Sequence, residues 1–553
     1  MKVLVVSILR LGDIVLSSSA LEGIKTRFPN AEIDLVINDQ FTFVGDILSG
    51  VHQIIPFPRS IMQKEMNDSK APLLQPYDEL KLLVTDLNHR RYDMVINLTQ
   101  NRLSGYVCSL VESKETLGLH FSQRGEPIYG DGWFRYLNDS KENPTDFSFH
   151  FGDALRMGSG EESYRPIRLV RKYKDVQRAL KLKSEFSKDK IVAIQLQSSD
   201  RKKDIPRSAL LSTCVNLSQL HHDIHFLVLG APSESRQVED FVDALRGSQV
   251  SAISEIGTLG EVLSVLDICD GLITPDTAIK HIASATTCPV LEVCLGSSRP
   301  EETGSYKTGT VVVQPLSPCY PCNHSSECVE QYVCQESLTA DLLSMIMSRL
   351  ISNQISDIHK ISEEFSDIAK VSMTYISNSG FFMLLPFGAK VSLDDLFRQL
   401  FGKLAFSTFL SSNRNDLIGD YGTRALRLIS DWQFILKFRG EKDNIDEIVS
   451  QSLSRGRIVE KDIEALLFKM SRLSKGPSKR EKEDLIALWK QMMEQGYGAF
   501  VNRNQNIEKE LLETNSMSFQ GIRSIQNDIQ KISEVSQIES RLLRAVKSNC
   551  VEM

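Results

Sequence analysis

Short runs of hydrophobic residues alternate with amphipathic stretches along the first part of the chain. The first run, residues 2–8, precedes a predicted helix over about residues 17–28, and two further runs follow at residues 32–37 and 92–98. β-Branched residues are frequent in these runs, as is typical of buried strands. The alternation predicts a parallel sheet with crossover helices.

The same alternation begins again after a charged segment at residues 168–190, which predicts a second sheet. A polar, Lys/Arg-rich stretch near residues 160–185 interrupts the strands and is the expected linker. Two α/β domains are therefore predicted, at residues 1–165 and 166–340. The predicted strands of the second domain cover residues 191–196, 224–230, 251–256, 271–275 and 289–296.

Helical spacing dominates from about residue 340 onward. Two series of hydrophobic residues recur at i, i+3, i+4 and i+7, and a third has the three- and four-residue steps of a helical core or a short coiled-coil seam. The sequence predicts a mostly α-helical domain over residues 341–553. The three series are Ile463, Leu466, Leu467 and Met470; Leu485, Leu488, Trp489 and Met492; and Ile522, Ile525, Ile529 and Ile532.

Composition narrows the class of protein. Hydrophobic residues make up 41% and charged residues 24% of the 553 residues, as in ordinary globular proteins. The net charge of −7 provides no general basic field for nucleic acid. The N-terminal hydrophobic run is too short for a membrane helix and is interpreted as a strand. We expect a cytoplasmic protein, at most peripheral at the inner membrane, with mostly reduced cysteines.

An acidic residue follows the first predicted strand. Arg10-Leu11-Gly12-Asp13 places a carboxylate at the carboxyl edge of the sheet, where ligands of open α/β sheets bind. Asp13 is a candidate general base for an acceptor hydroxyl. The alternative is an aspartate that caps the following helix.

A second candidate site follows the predicted strand at residues 271–275. Asp276, Thr277 and Ala278 precede a helix that contains His281. A helix start offers free N–H groups to a diphosphate, while Asp276 and Thr277 can bind sugar hydroxyls. The alternative is a capped helix with His281 packed as a core residue.

Two further loops follow strands of the second domain. Residues 198–206 concentrate cations after the first of these strands, and Lys203 is a candidate partner for a departing diphosphate, although a solvated basic loop has the same composition. Glu234 follows the next strand and is a candidate for binding ribose hydroxyls.

Taken in order, these features resemble glycosyltransferase family nine, the bacterial heptosyltransferase family, over about residues 1–340. The resemblance rests on the R-L-G-D strand end, the strand at residues 92–98, the lysine loop ending in Ile205-Pro206, the D-T-x-x-x-H-I-A-x-A helix, and Gly296 through Thr303-Gly304. It implies an α/β GT-B fold of two Rossmann-like domains, with the acceptor on the first and the donor on the second.

The resemblance also implies roles for residues. Asp13 would be the base and Lys203 the phosphate partner of an inverting transfer, with ADP-heptose as the usual donor of the family. No D-x-D triplet is present, so no catalytic metal is expected. The donor would be held by Ser198, Ser199, Glu234, Asp276, Thr277, Ala278 and His281.

Three positions depart from the family pattern. Ala278 stands where the family usually has Gly, Ile205 where Trp is common, and Ser305 where Pro is typical. If Ala278 crowds the phosphates, the protein would be an inactive GT-B scaffold or interaction protein. A sugar-nucleotide epimerase is a third hypothesis, because that class can share the architecture.

Four cysteines lie within sixteen residues: Cys319, Cys322, Cys328 and Cys334. Reduced thiols at this density are candidate ligands for a structural zinc or iron ion, with His324 as a substitute ligand, and free or partly oxidised thiols are the alternative. Cysteine-rich tails also occur in protein-modifying heptosyltransferases of the resembled family, where they bind iron. A closed four-thiolate site would have an architectural role.

The acceptor could be lipopolysaccharide or a protein. The long region after residue 340 favours a protein acceptor, a protein partner or a homo-oligomer, and nucleic acid is not expected as a partner.

Overall fold

The structure is a computed structural model of the 553-residue chain. It describes residues 1–67, 74–139, 148–186, 190–388 and 421–440, together with 391, 396, 399, 400, 403, 404, 407, 538, 541 and 543–545.

The first sheet has five parallel strands in the order β3-β2-β1-β4-β5. Four of the five residues of β1 are completely buried, which explains why its sequence is a continuous hydrophobic run rather than an alternating one. The strands are β1 (Lys2–Val6), β2 (Glu32–Asn38), β3 (Gln53–Phe57), β4 (Met94–Asn97) and β5 (Glu115–Leu117).

Helices and a small hairpin connect and follow these strands. A capping box begins α5. The side chain of Asn101 accepts the backbone N–H of Ser104, and the hydroxyl of Ser104 accepts the backbone N–H of Asn101. The helices are α1 (Leu11–Leu16), α2 (Ser18–Arg27), α3 (Arg59–Asn67), α4 (Leu74–His89), α5 (Arg102–Leu110), α6 (Gly132–Asp139), α7 (Phe151–Gly158) and α8 (Tyr173–Glu185); the hairpin is β6 (His120–Phe121) and β7 (Pro127–Ile128).

The second sheet has eight strands in the order β10-β9-β8-β11-β12-β13-β14-β15. The first six are parallel, whereas β14 and β15 are antiparallel to their neighbours. The strands are β8 (Lys190–Gln195), β9 (Ile224–Gly230), β10 (Ala252–Ile256), β11 (Gly271–Pro275), β12 (Val290–Val293), β13 (Val311–Pro315), β14 (Ala369–Ile376) and β15 (Phe382–Pro386).

The helices of this second region lie between its strands or follow them. They are α9 (Arg207–Leu220), α10 (Ser235–Gly247), α11 (Leu259–Leu266), α12 (Ala278–Ala283), α13 (Pro300–Thr303), α14 (Val333–Glu336), α15 (Ala340–Ile351) and α16 (Ile358–Glu364); 3-10 turns span Asp39–Asp46, Arg201–Lys203, Pro232–Glu234 and Ile355–Asp357.

Both sheets have the strand order of a doubly wound α/β fold. In each, the first strand lies between the second and the fourth. The order in which strands are added therefore switches from one side of the first strand to the other, between β1 and β4 and between β8 and β11. Ligands of such folds bind outside the carboxyl ends of the strands at this reversal. The predicted α/β class with two Rossmann-like sheets is confirmed.

The second sheet continues beyond the predicted start of the helical domain at residue 341. Two helices, α15 and α16, follow β13, and the chain then returns to the sheet as β14 and β15. Both strands pack into the core, with Val371, Tyr375 and Leu385 at most 5% exposed. Because two helices precede these strands, the sequence pattern did not indicate that the chain returns to the sheet. The domain limits of 165, 340 and 553 stay predictions.

The chain divides into two compact units. The first comprises residues 1–130, 150–376 and 382–390 and contains both large sheets; the second comprises residues 131–149, 377–381 and 391–553. In the second unit, Asp431 on α17 (Tyr421–Arg439) accepts hydrogen bonds from the backbone N–H and hydroxyl of Ser379. The three hydrophobic series predicted as helices after residue 460 lie outside the described residues.

None of the helices in the described ranges combines the length and the apolar character that a membrane span requires.

Candidate active site

The pairing of β8 with β11 brings two predicted loops together. These strands are parallel neighbours, with Gly271 opposite Val192 and Ile273 opposite Ile194. Since both end at the same edge, the loop after β8 meets the start of α12. Lys203 from the first loop donates to Oδ2 of Asp276 at 2.7 Å, and both side chains are 11% exposed. Two residues selected from separate motifs are thus in direct contact.

Asp276 binds a second ammonium group on its other oxygen. Nζ of Lys280 lies 2.5 Å from Oδ1 of Asp276, one helical turn along α12. Burial alone would raise the pKa of Asp276, but Lys280 and Lys203 outweigh it and hold this pKa well below its usual value. Asp276 is therefore a fixed anion.

Lys280 also contacts a buried carboxylate on the next strand. Its ammonium group donates to Oε1 of Glu292 at 2.6 Å, and the Glu292 side chain is completely buried. Oε2 of Glu292 accepts the backbone N–H of Ser305 at 2.9 Å. Burial alone would lower the pKa of Lys280, but Asp276 and Glu292 hold it above its usual value. Ser305, one of the departures from the family pattern, supplies an N–H that proline lacks.

This network was not predicted from the sequence. Lys280 lies four residues after Asp276, a spacing that does indicate a helical ion pair. Glu292 gave no local signal, because its contact with Lys280 depends on the packing of α12 against β12.

Asp13 lies in the first turn of α1, after the N-cap residue Arg10. Burial raises the pKa of the Asp13 carboxyl, and the negative charge of Asp276 raises it further, whereas Arg10 and Lys203 oppose the shift. The side chain of Arg10 makes no capping hydrogen bond to α1. Asp13 lies within the first turn of this helix and is not its N-cap residue. The carboxyl is thus close enough to the Lys203–Asp276 pair to interact with it electrostatically.

The starts of α1 and α12 approach each other closely. A methyl group added at Gly12 would lie 3.0 Å from Cδ2 of His281 and 3.5 Å from Cα of Ala278. Glycine at position 12 therefore leaves the space that Ala278 and the histidine ring need. Since α12 has only six residues, its dipole is weak, and the cations must carry most of the attraction for a diphosphate.

His281 is 3% exposed, and within the described residues its Nδ1 has no hydrogen-bond partner. Burial, assisted by the charge of Lys280, lowers its pKa to about 3. The imidazole is therefore neutral at physiological pH. A role for His281 in the donor site stays a prediction, but such a role would be that of a neutral hydrogen-bonding group.

We expect the His281 ring to keep constant NMR chemical shifts between pH 5 and 8, because its pKa lies near 3. The pKa of this ring is lower in the folded protein than its ordinary value of about 6.5. The free energy of unfolding should therefore decrease as the pH falls from about 6.5 toward 3. A His281 transition near pH 6.5 would contradict this description.

The remaining predicted donor residues lie in these two loops and in the turn after β9. Oγ of Ser198 donates to the carbonyl of Asp200 at 2.6 Å, so this hydroxyl shapes its own loop, while Ser199 is exposed. Thr277 lies 3.2 Å from the hydroxyl of Thr274. Oε2 of Glu234 accepts the N–H of Ala231 at 2.8 Å and closes the turn after β9. The donor roles of these residues stay predictions.

The four clustered cysteines lie in the Cys-rich segment, residues 319–334. Burial raises the pKa of Cys322, and Cys334, Cys319 and Cys328 raise it further, so the thiols share one neighbourhood. Among the described residues, however, no group of three or more His, Cys, Asp or Glu side chains is arranged to hold a metal ion. The side-chain positions therefore do not fit the predicted zinc or iron site.

Comparison with known proteins decides the family of this site. Residues 81–333 match the family model described as "Glycosyltransferase family 9 (heptosyltransferase)". This part of the chain is a glycosyltransferase family 9 domain. The match covers the strand-end loops that carry Lys203, Asp276 and Glu234, and it supports glycosyltransferase activity.

Solved structures of similar proteins include members of family 9. One is a family 9 glycosyltransferase from Veillonella parvula, with 15% identity and a TM-score of 0.48, over 64% of this chain and 97% of that chain. Another is the ADP-heptose lipopolysaccharide heptosyltransferase II of E. coli, with 16% identity and a TM-score of 0.48, over 64% and 99%. No curated protein matches the sequence significantly.

A third similar structure is TibC of enterotoxigenic E. coli, which is described as an iron-containing dodecameric glycosyltransferase. It has 13% identity and a TM-score of 0.37, over 64% of this chain and 76% of TibC.

Proposed function

We propose that this family 9 protein is an inverting glycosyltransferase that moves a heptose from ADP-heptose to an acceptor hydroxyl. The observation that carries the proposal is the meeting of Asp13, with its raised pKa, and the Lys203–Asp276 ion pair at one site. A base and a cationic diphosphate partner are the two groups that a single displacement at an anomeric carbon requires.

Asp13 acts as the general base. The acceptor hydroxyl oxygen forms a bond to the anomeric carbon of heptose while its proton passes to the Asp13 carboxylate. The bond between that carbon and the diphosphate oxygen breaks on the opposite side, and ADP leaves. Because this is one displacement, the anomeric configuration inverts. The raised pKa strengthens Asp13 as a base, and the rate should rise with pH as this carboxyl loses its proton.

Lys203 stabilises the departing diphosphate. Its ammonium group is bound to Asp276, so an entering phosphate competes with a carboxylate for it. Lys280 remains on the other oxygen of Asp276 and keeps this carboxylate neutralised when Lys203 turns to the donor. The absence of a D-x-D triplet supports a reaction without a catalytic metal.

The acceptor is proposed to be lipopolysaccharide or a protein, with a protein partner or a homo-oligomer held through the region after residue 340. The length of that region supports this part of the proposal. The cytoplasm is the proposed compartment, because the nine cysteines among the described residues are all free thiols.

Turnover of ADP-heptose tests the proposal. The protein is incubated with ADP-heptose and either heptose-deficient lipopolysaccharide or a candidate protein acceptor, and released ADP and the product anomer are followed by NMR. We expect acceptor-dependent ADP release with an inverted anomeric configuration. A retained configuration would contradict the single displacement. If neither ADP release nor nucleotide binding occurs, the alternative of an inactive scaffold is favoured.

A further inference from the structure

A buried lysine connects the Cys-rich segment to the active-site loop. Lys202 is 8% exposed, and its ammonium group lies 3.3, 3.1 and 2.5 Å from the carbonyl oxygens of Asn323, His324 and Ser326. Oδ2 of Asp200 lies 3.7 Å away. The three donors of an ammonium group are matched by three converging carbonyls, so Lys202 is committed to this segment and not to a substrate.

A second connection runs through the backbone beside Lys202. The side-chain amide of Gln335 donates through Nε2 to the backbone carbonyl oxygens of Arg201 at 2.8 Å and of Lys202 at 3.3 Å. Gly296 has a φ of +59°, and a methyl group there would lie 2.5 Å from the Lys202 carbonyl oxygen. The carbonyl of Gly296 accepts the N–H of Cys322 at 2.8 Å. The basic turn, Gly296 and the Cys-rich segment are therefore packed together.

The Cys-rich segment also reaches the first predicted domain. One ring nitrogen of His324 contacts the guanidinium group of Arg10, and the other lies 3.2 Å from Oγ of Ser297. Arg10 is one of the two cations that lower the pKa of Asp13, and Lys203 is the other. The segment thus contacts the neighbourhoods of both the proposed base and the proposed phosphate partner.

We propose that Lys202 is a positioning residue that fastens the Cys-rich segment onto the basic turn, so that Lys203 is held in place for the donor diphosphate. This inference rests on the proposed function, because it assigns the segment a role in donor binding. It differs from a metal-binding role, since the contacts that carry it are hydrogen bonds of Lys202 and Gln335.

The short 3-10 turn explains how the effect passes from Lys202 to Lys203. The turn contains only Arg201, Lys202 and Lys203, and the N–H of Lys203 donates to the carbonyl of Asp200 at 2.8 Å. Adjacent residues of so tight a turn cannot change backbone position independently. When the Lys202 contacts are lost, Lys203 should spend less time where it can bind phosphate.

Lys202→Met in the full-length protein tests the inference, with Lys202→Arg as the conservative variant that keeps a cation. Lys181→Met is the matched control, because Lys181 is an exposed lysine on α8. ADP is the probe for calorimetry, and amide hydrogen exchange is measured over residues 319–334. Gln335→Leu removes the second connection and provides an independent variant if Lys202→Met folds poorly.

We expect Lys202→Met to raise exchange in the segment and to weaken ADP binding about tenfold, with partial recovery in Lys202→Arg. Gln335→Leu should weaken ADP binding about threefold, and Lys181→Met should change neither quantity. If both Lys202→Met and Gln335→Leu bind ADP within twofold of wild type, this inference is overturned and the proposed function is not affected. If the wild-type protein itself binds no ADP, the proposed function fails, and the inference fails with it.

Discussion

Replacing Asp13 with asparagine should lower kcat about a thousandfold, because the variant keeps the shape of the side chain but cannot accept the proton of the acceptor hydroxyl. KM for ADP-heptose should change little, since the donor contacts are assigned to the second region. The measurement is ADP release under saturating donor for wild type and Asp13→Asn. Asp243→Asn, at an exposed position on α10, is the matched control and should keep wild-type activity.

Thermal unfolding separates this catalytic effect from damage to the fold. A carboxyl with a raised folded pKa binds its proton more tightly in the folded protein, so stability falls as the pH rises through its ordinary pKa of 3.8 toward the folded value. At neutral pH the folded protein therefore carries the cost of a desolvated carboxylate. Asp13→Asn removes that cost and should unfold at the same temperature as wild type or a higher one. Substantial activity in Asp13→Asn would exclude Asp13 as the base.

Lys280→Met should destabilise the protein by about 3–5 kcal/mol. The substitution leaves Glu292 buried without its cation and leaves Asp276 with Lys203 alone. Denaturant unfolding of the purified variant measures the loss. Lys183→Met is the control, because the pair of Lys183 and Asp270 is partly exposed and longer, at 3.4 Å, and should contribute less than about 1 kcal/mol.

The double variant Lys280→Met with Glu292→Gln isolates the cause. Glutamine is neutral and can still accept the N–H of Ser305, so the double variant should recover about 2 kcal/mol relative to Lys280→Met. If the double variant is no more stable than Lys280→Met, the unpaired charge of Glu292 is not the reason for the loss.

Much of the α/β fold could be predicted because buried parallel strands are recognisable as continuous hydrophobic runs. The predicted strands at residues 2–8, 92–98 and 271–275 correspond to β1, β4 and β11. In contrast, β14 follows two helices and joins the sheet in the antiparallel direction, so the strand–helix alternation that identified the other strands did not extend to it.

The candidate site could be predicted only in part. Lys203 and Asp276 were selected because each follows a strand, and the parallel pairing of β8 and β11 brings such positions together. Lys280, Glu292 and Lys202 were missed. The four-residue spacing of Asp276 and Lys280 does indicate an ion pair. The other contacts depend on packing between an α-helix and a strand or between two loops, which no residue spacing along the chain encodes.

The distribution of charge explains how a buried site can hold an anionic donor. Asp276 accepts from two ammonium groups, and Glu292 accepts from one of them, so each carboxylate has a cation before any ligand enters. A diphosphate that takes Lys203 leaves Asp276 paired with Lys280. The site can therefore exchange one anion for another without leaving a buried charge alone, which would be costly.

Calorimetric titration with ADP-heptose, ADP, GDP and UDP tests whether the site binds an adenine nucleotide through Lys203, with wild type, Lys203→Met and the exposed-lysine control Lys181→Met in parallel. We expect selective binding of the two adenine nucleotides by wild type and the control, weakened at least tenfold in Lys203→Met. Equal binding of adenine nucleotides by wild type and Lys203→Met, or no binding by wild type at millimolar ligand, would contradict it.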